Sequence, residues 1–135
     1  MGPGAIAAFA VYGYASLWWE ESMSIVRALP SAKDGRALLE LRNDWSAQVT
    51  VKEVLWLPLG DGWGSPLVRV PQALSPGESR AIDITDALGL LLNRYVAEST
   101  FRILLPLDPE PPSQPGPGTY TARFTRGRCE SFRSG

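Results

Sequence analysis

The side chains that most often carry out catalysis are scarce in this sequence. It contains no histidine and a single cysteine, Cys129, so neither a Ser-His-Asp triad nor a Cys-His pair can form within one chain. An internal disulfide and a cysteine-based metal cluster are excluded for the same reason. Two closely spaced pairs of carboxylates remain, Asp83 with Asp86 and Asp108 with Glu110.

Paired carboxylates can act as acid and base in glycoside hydrolysis, or they can bind calcium. Neither pair stands in a ligand-dense loop like that of an EF-hand, so we expect them to cap a helix and to solvate a loop, respectively. We therefore predict no catalytic residue, no metal site and no cofactor, and we expect the chain not to be an enzyme. An enzyme that acts through the acidic pairs is the minor alternative.

Other residues suggest contacts with partners rather than chemistry. Gly60 to Gly64 lacks the Gly-Lys-Ser/Thr ending of a phosphate-binding loop and is expected to be a hairpin tip. Trp45, Trp56 and Trp63 can form an exposed aromatic patch, although packing in the core is the stronger expectation. We predict partner contacts at the following residues: Trp18, Trp19, Trp63, Arg126 and Arg128.

The charge of the chain gives no reason to expect nucleic acid as a partner. The net charge is −1, and 20% of the residues are charged. The C-terminal stretch is locally basic, with four arginines and one glutamate from Arg123 onward. This stretch is predicted to be a solvated terminus, with an anionic contact as the alternative.

Residues 1–21 are predicted to form a hydrophobic helix. No charged side chain occurs before Glu20, and about 19 residues at 1.5 Å each give roughly 28 Å, close to the thickness of a bilayer core. Small residues that permit close helix packing are predicted to mediate helix association, namely Gly4, Ala5, Ala8 and Gly13. The alternative is a core helix of a soluble protein.

Residues 22–135 are predicted to form one β-sandwich domain. Short segments with period-two alternation are separated by Pro and Gly turns, and strands are predicted at 22–28, 36–43, 48–57, 67–70, 79–84, 100–105 and 119–125. One short helix is expected from Thr85 to about Tyr95, capped by Thr85 and Asp86. Residues 106–118 hold six of the twelve prolines and are predicted to be an extended surface loop. The fold class is therefore mainly β, an immunoglobulin-like antiparallel sandwich preceded by a hydrophobic N-terminal α-helix.

Two stretches carry a family resemblance. Leu39-Glu40-Leu41-Arg42-Asn43 precedes Val49-Thr50-Val51-Lys52-Glu53-Val54, and Leu74-Ser75-Pro76-Gly77-Glu78-Ser79 is followed later by Pro117-Gly118-Thr119-Tyr120-Thr121. Over about residues 36 to 125 the chain resembles immunoglobulin-like accessory domains of prokaryotic cell surfaces. With the N-terminal helix, the layout is similar to archaeal type IV pilins and to pilin-like stator proteins of the archaellum. No Lys or Arg precedes the apolar run, in contrast to the short basic leader of those families.

The resemblance implies a structural protein, either a filament subunit or a membrane-anchored assembly or adhesion protein. Its partners would be further copies bound through the N-terminal helix, or other surface proteins, and we expect a membrane as well. The sandwich would then lie at the cell surface, outside the cytoplasm. The alternative is a soluble sandwich in a viral particle or another large complex, with the N-terminal segment and the basic tail as docking arms.

Overall fold

The computed structural model describes residues 25–59, 64–92, 98–109 and 118–135. Within them the chain forms eleven strands and one short helix, α1. The strands are β1 (Val26–Lys33), β2 (Arg36–Asn43), β3 (Val49–Val51), β4 (Val54–Pro58), β5 (Ser65–Val68), β6 (Gln72–Leu74), β7 (Ser79–Asp83), β8 (Glu98–Leu104), β9 (Leu107–Asp108), β10 (Thr119–Thr125) and β11 (Arg128–Ser134), and α1 (Thr85–Leu91) lies between β7 and β8.

The strands form three sheets in which all neighbours are antiparallel. The sheet orders are β1-β2-β7, β11-β10-β8-β4-β5 and β6-β3-β9. The prediction of a mainly β fold with antiparallel, sandwich-like sheets is confirmed. The predicted N-terminal helix of residues 1–21 lies outside the described residues. No helix in the described ranges has the length and apolar character needed to cross a bilayer.

A β-bulge joins the second sheet to the third. The pairs Val51↔Leu107 and Leu55↔Leu104 are separated by four residues along β3 and β4 but by three along β8 and β9. The additional residue bends the ladder, and the N–H of Lys52 donates a hydrogen bond of 2.8 Å to the carbonyl of Pro106 at the bend.

The bulge also changes which side chains face the core. A single strand at 48–57 with unbroken alternation, as predicted from the sequence, places Glu53 on the same face as Val49 and Val51. Instead Val54 is fully buried beside them, so this prediction is wrong beyond Lys52 because the extra residue reverses the alternation.

The sandwich is closed on one side by direct contact between strands. β1 packs alongside β11, and the buried hydroxyl of Tyr120 in β10 donates a hydrogen bond of 2.8 Å to the carbonyl of Ala28 in β1. The N–H of Cys129 donates to the carbonyl of Gly35 at 2.7 Å. Elsewhere α1 contacts β2 and β5 and places Leu88 in the core.

The core is one apolar cluster in which aromatic rings are prominent. Phe101 of β8 lies between Trp56 of β4, with ring centroids 5.9 Å apart, and Tyr120 and Phe132, at 6.4 Å and 6.1 Å. Such tilted and offset contacts add to the burial of the rings. These ring contacts link β4, β8 and β10 to β11, the edge strand of the same five-stranded sheet.

Several predicted boundaries differ from the structure. β1 extends beyond the predicted end at residue 28 as far as Lys33, and the turn that follows it is only Asp34-Gly35. The helix ends at Leu91, and the Thr85 hydroxyl bonds to Asp83 and Ala37 rather than to the helix end. Two further differences concern strands: β9 lies within the predicted proline-rich loop, and β11 lies within the predicted solvated terminus.

Candidate functional site

The carboxylates of Asp83 and Asp86 are held by one arginine. Arg36 binds Asp83 with two hydrogen bonds, from Nε at 2.9 Å and from Nη2 at 3.2 Å, and lies 3.5 Å from Asp86. The Arg36 hydrogen bond, followed by the hydroxyl and N–H of Thr85, lowers the pKa of Asp83 to about 2. Asp83 is therefore ionised at neutral pH and cannot supply a proton as a general acid.

The second predicted pair is not assembled within the described residues. Asp108 is exposed in β9, and Glu110 lies outside the described ranges. In the described part of the chain, no three carboxylates or thiols lie close enough together to hold a metal ion.

Two predicted contact residues, Arg126 and Arg128, flank a cleft between two hairpin tips, which we call the hairpin cleft. It is an open depression of about 630 Å³, lined by Ala32, Lys33, Asp34, Gly35, Thr125, Arg126, Arg128, Cys129 and Glu130. Each tip is a two-residue turn with positive φ at both positions, 54° and 80° at Asp34-Gly35 and 54° and 77° at Arg126-Gly127, as a type I′ turn requires. The backbone bond from Cys129 to Gly35 fixes one tip against the other.

The hairpin cleft has cations but no assembled nucleophile. Within the described ranges, Lys33, Arg126 and Arg128 make no ion pair, while Glu130 lies 3.6 Å from Arg123. Cys129 is 2% exposed, and burial raises the pKa of its thiol. A buried thiol with a raised pKa carries little thiolate and is a poor nucleophile.

The tryptophans within the described ranges belong to the core. Trp45 and Trp56 are half-buried and pack against the core cluster, as the core interpretation predicted. The remaining predicted contact and helix-association residues lie outside the described ranges, namely Gly4, Ala5, Ala8, Gly13, Trp18, Trp19 and Trp63.

An apolar area lies on the outer face of the five-stranded sheet, and sequence reasoning missed it. In β8 the buried residues are Phe101 and Ile103, so Leu104 points outward. Leu104 pairs with Leu55, and Leu55 pairs with Pro66. Paired residues share a face of the sheet, so these three side chains point away from the core.

The same face continues along β4. Leu57 pairs with the exposed Arg102 and therefore also points outward, and Leu59 follows two residues later with 54% of its surface exposed. We call these five residues the leucine patch: Leu55, Leu57, Leu59, Pro66 and Leu104. Leu59 is its exposed member, and the other four are half-buried. Apolar clusters that remain partly open to solvent often mark contact surfaces.

The leucine patch differs from the outer face of β10 and from the ion-paired part of the β1-β2-β7 sheet. The outward pairs of β10 are polar, as in Thr121↔Thr100 and Arg123↔Glu98. The outer face of the β1-β2-β7 sheet carries ion pairs, among them Arg27 and Arg42 with Asp44. The available sequence signal was the unbroken apolar run from Val54 to Leu59, which is typical of a strand covered on both faces.

Comparison with known proteins identifies no relative. No protein-family model matches the chain, and no significant similarity is found to a curated protein or to a solved structure.

Proposed function

We propose that this chain is a non-enzymatic structural protein, a filament subunit or a membrane-anchored assembly or adhesion protein. It associates through the hydrophobic helix predicted for residues 1–21 and presents an immunoglobulin-like sandwich outside the cytoplasm. The observation that carries the proposal is the leucine patch, because it brings aliphatic side chains from three neighbouring strands together on the outer face of the five-stranded sheet.

The chemistry of the described residues also favours a structural role. The best candidate for acid-base chemistry, Asp83, is bound by Arg36 and Thr85. Cys129 is buried beneath the hairpin cleft. Such groups stabilise the fold and leave no pair of a nucleophile and a base in either place.

The test is deletion of residues 1–20. Because the described strands begin at Val26, we expect the shortened domain to keep its β-type circular dichroism and to sediment as a monomer. It should also be absent from a carbonate-washed membrane pellet. If the shortened protein keeps the native oligomer or stays in the pellet, the proposal is wrong.

A milder variant separates helix packing from general hydrophobicity. Gly4→Leu with Ala8→Leu enlarges the two small residues without adding charge, so it should weaken self-association if they allow close helix contact. Ile6→Leu is the matched control and should leave self-association unchanged. Equal behaviour of the two variants would argue against close packing at these residues.

The alternative is a soluble component of a viral particle or another large complex. In that hypothesis the N-terminal segment and the basic C-terminal tail both act as docking arms. Residues 128–134 form β11, paired with β10, so only the N-terminal segment remains as an arm. Electron micrographs of the purified protein distinguish filaments and membrane particles from soluble assemblies.

A further inference from the structure

We propose that the leucine patch is the docking surface for the N-terminal segment of a neighbouring copy of this chain, residues 5–19. This inference rests on the proposed function, because it supplies the receiving surface for helix-mediated association. The segment is uncharged and apolar apart from Gly, Ser and Tyr positions. It therefore gains from leaving water, as do the outward leucines of β4.

The edge of the sheet favours a partner that packs on the face over one that adds a strand. β5 is an edge strand of the five-stranded sheet, and its second residue is Pro66. Proline has no N–H to donate and is a common obstacle to pairing at sheet edges. A helix laid across the leucine patch needs no backbone hydrogen bonds from the sheet.

The dimensions of a helix suit this surface. Fifteen residues from Ala5 to Trp19 give a helix of about 22 Å. β8, β4 and β5 together are roughly 10 Å wide, because neighbouring strands lie about 4.8 Å apart. The helix can therefore cover all three strands.

The proposed assembly role favours a segment from a second copy over the segment of the same chain. β1 belongs to the opposite layer and packs alongside β11, whereas the leucine patch spans β8, β4 and β5 of the five-stranded sheet. From β11 to β8, the nearest strand of the patch, is about 10 Å across the sheet, and the two layers lie about 10 Å apart. The six Cα–Cα steps from Trp19 to Ile25 reach about 20–22 Å at most, so distance alone permits either copy, and the isotope labels in the experiment distinguish the two.

Docking of each segment on the next copy makes a head-to-tail contact. The two surfaces in contact differ, so the interface is heterologous and leaves a free segment at one end and a free patch at the other. Such contacts build rings or open chains of copies, which agrees with the proposed assembly role.

The primary experiment is photo-crosslinking in the full-length assembled protein. A benzophenone amino acid at position 59 is used in a mixture of ¹⁴N-labelled and ¹⁵N-labelled chains, and the crosslinked peptides are identified by mass spectrometry. The control places the same amino acid at position 90, because Leu90 on α1 is 83% exposed and lies outside the leucine patch. We expect crosslinks from position 59 to residues 5–19 with mixed isotopes, and no such crosslinks from position 90.

Substitutions provide an independent readout. The double variant Leu57→Thr with Leu59→Asn should weaken self-association by a factor on the order of tenfold to a hundredfold, because two apolar side chains lose their partner surface. Leu90→Asn is the matched control and should assemble as the native chain does. Sedimentation equilibrium measures the association, and circular dichroism confirms that each variant is folded.

The outcomes separate this inference from the proposed function. Same-isotope crosslinks alone would mean that the segment covers its own sheet, and the inference would be overturned. Crosslinks to other regions, or native association of the double variant, would also overturn it. If deletion of residues 1–20 abolishes assembly in either case, the proposed function stands; if assembly persists without those residues, both fail.

Discussion

The phenol of Tyr120 provides a quantitative test of how the two layers are held together. Tyr120 is fully buried, and its hydroxyl donates to the carbonyl oxygen of Ala28 at 2.8 Å, linking β10 to β1. Tyr120→Phe keeps the ring and removes this hydrogen bond. At pH 7 we expect the free energy of unfolding to fall by about 1–2 kcal/mol.

The same residue predicts how this difference depends on pH. Burial raises the pKa of Tyr120 from 10.0 to about 12 in the folded protein, so the folded state retains the proton to higher pH than the unfolded state. The stabilisation is fully present below pH 10 and is lost as the pH rises towards 12. At pH 11 the native protein should have lost about 1.4 kcal/mol relative to the phenylalanine variant, which has no phenol at this position.

Urea denaturation followed by tryptophan fluorescence measures both proteins between pH 7 and pH 11.5. Titration of the other tyrosines and of the lysines is common to both proteins and cancels in the difference. The native protein should be the more stable below pH 10, and the two stabilities should become equal near about pH 11. A difference that stays constant from pH 8 to pH 11.5 would refute the burial of this phenol in the folded state.

Three further predictions concern other fixed contacts. Asp83→Asn should lower the free energy of unfolding by about 0.5–1 kcal/mol at pH 7, since the ion pair with Arg36 is partly exposed. Because the pKa of Asp83 is lower in the folded than in the unfolded state, the difference in stability between the two proteins should fade from pH 4 towards pH 2 in urea titrations. A difference that does not change with pH would contradict this. Gly77→Ala and Gly35→Ala should each cost about 1–2 kcal/mol for their positive φ. At Gly35 the new methyl group also meets the guanidinium of Arg128, but this is the end of a flexible, exposed side chain that can move aside, so the two urea midpoints should shift by similar amounts; a much larger shift for Gly35→Ala would contradict this. Asn43→Ala should lower the free energy of unfolding by about 3 kcal/mol or more, because the buried side-chain amide donates to the carbonyls of Ala47 and Leu74 and accepts from the N–H of Trp45. Thermal or urea unfolding measures this, and a loss under about 1 kcal/mol would contradict the importance of these three hydrogen bonds.

The strands that were predicted best are those with one polar and one apolar face. β2 and β10 have the bounds that alternation predicted, Arg36–Asn43 and Thr119–Thr125. In β10 the three residues that alternation places on one face, Tyr120, Ala122 and Phe124, are buried. Alternation is a direct consequence of strand geometry, so sequence alone carries this information.

The missed strand β11 shows where alternation is lost. Its two buried residues, Cys129 and Phe132, are three positions apart. The register shifts so that Phe124 pairs with Cys129 while Arg123 pairs with Ser131, which makes Glu130 the additional residue of a bulge. A bulge depends on the partner strand and leaves no local pattern in a single sequence.

The leucine patch was beyond prediction for a related reason. Its residues come from β4, β5 and β8, and they share a face only because of the pairings Leu55↔Pro66 and Leu55↔Leu104. These pairings depend on tertiary register. The predicted helix-association residues in the N-terminal segment lie outside the described ranges and stay a prediction.

The bulge between β3 and β4 determines which face of β4 points into the core. Both faces of β4 are apolar, with Val54 and Trp56 inward and Leu55 and Leu57 outward, so hydrophobicity hardly distinguishes this strand from the same strand shifted by one residue. The additional residue before Val54 therefore sets the register of β4 and with it the face that each side chain occupies. Loss of one residue there would turn the core-facing side chains of β4 outward and its outward side chains into the core, and leave the composition of the strand otherwise unchanged.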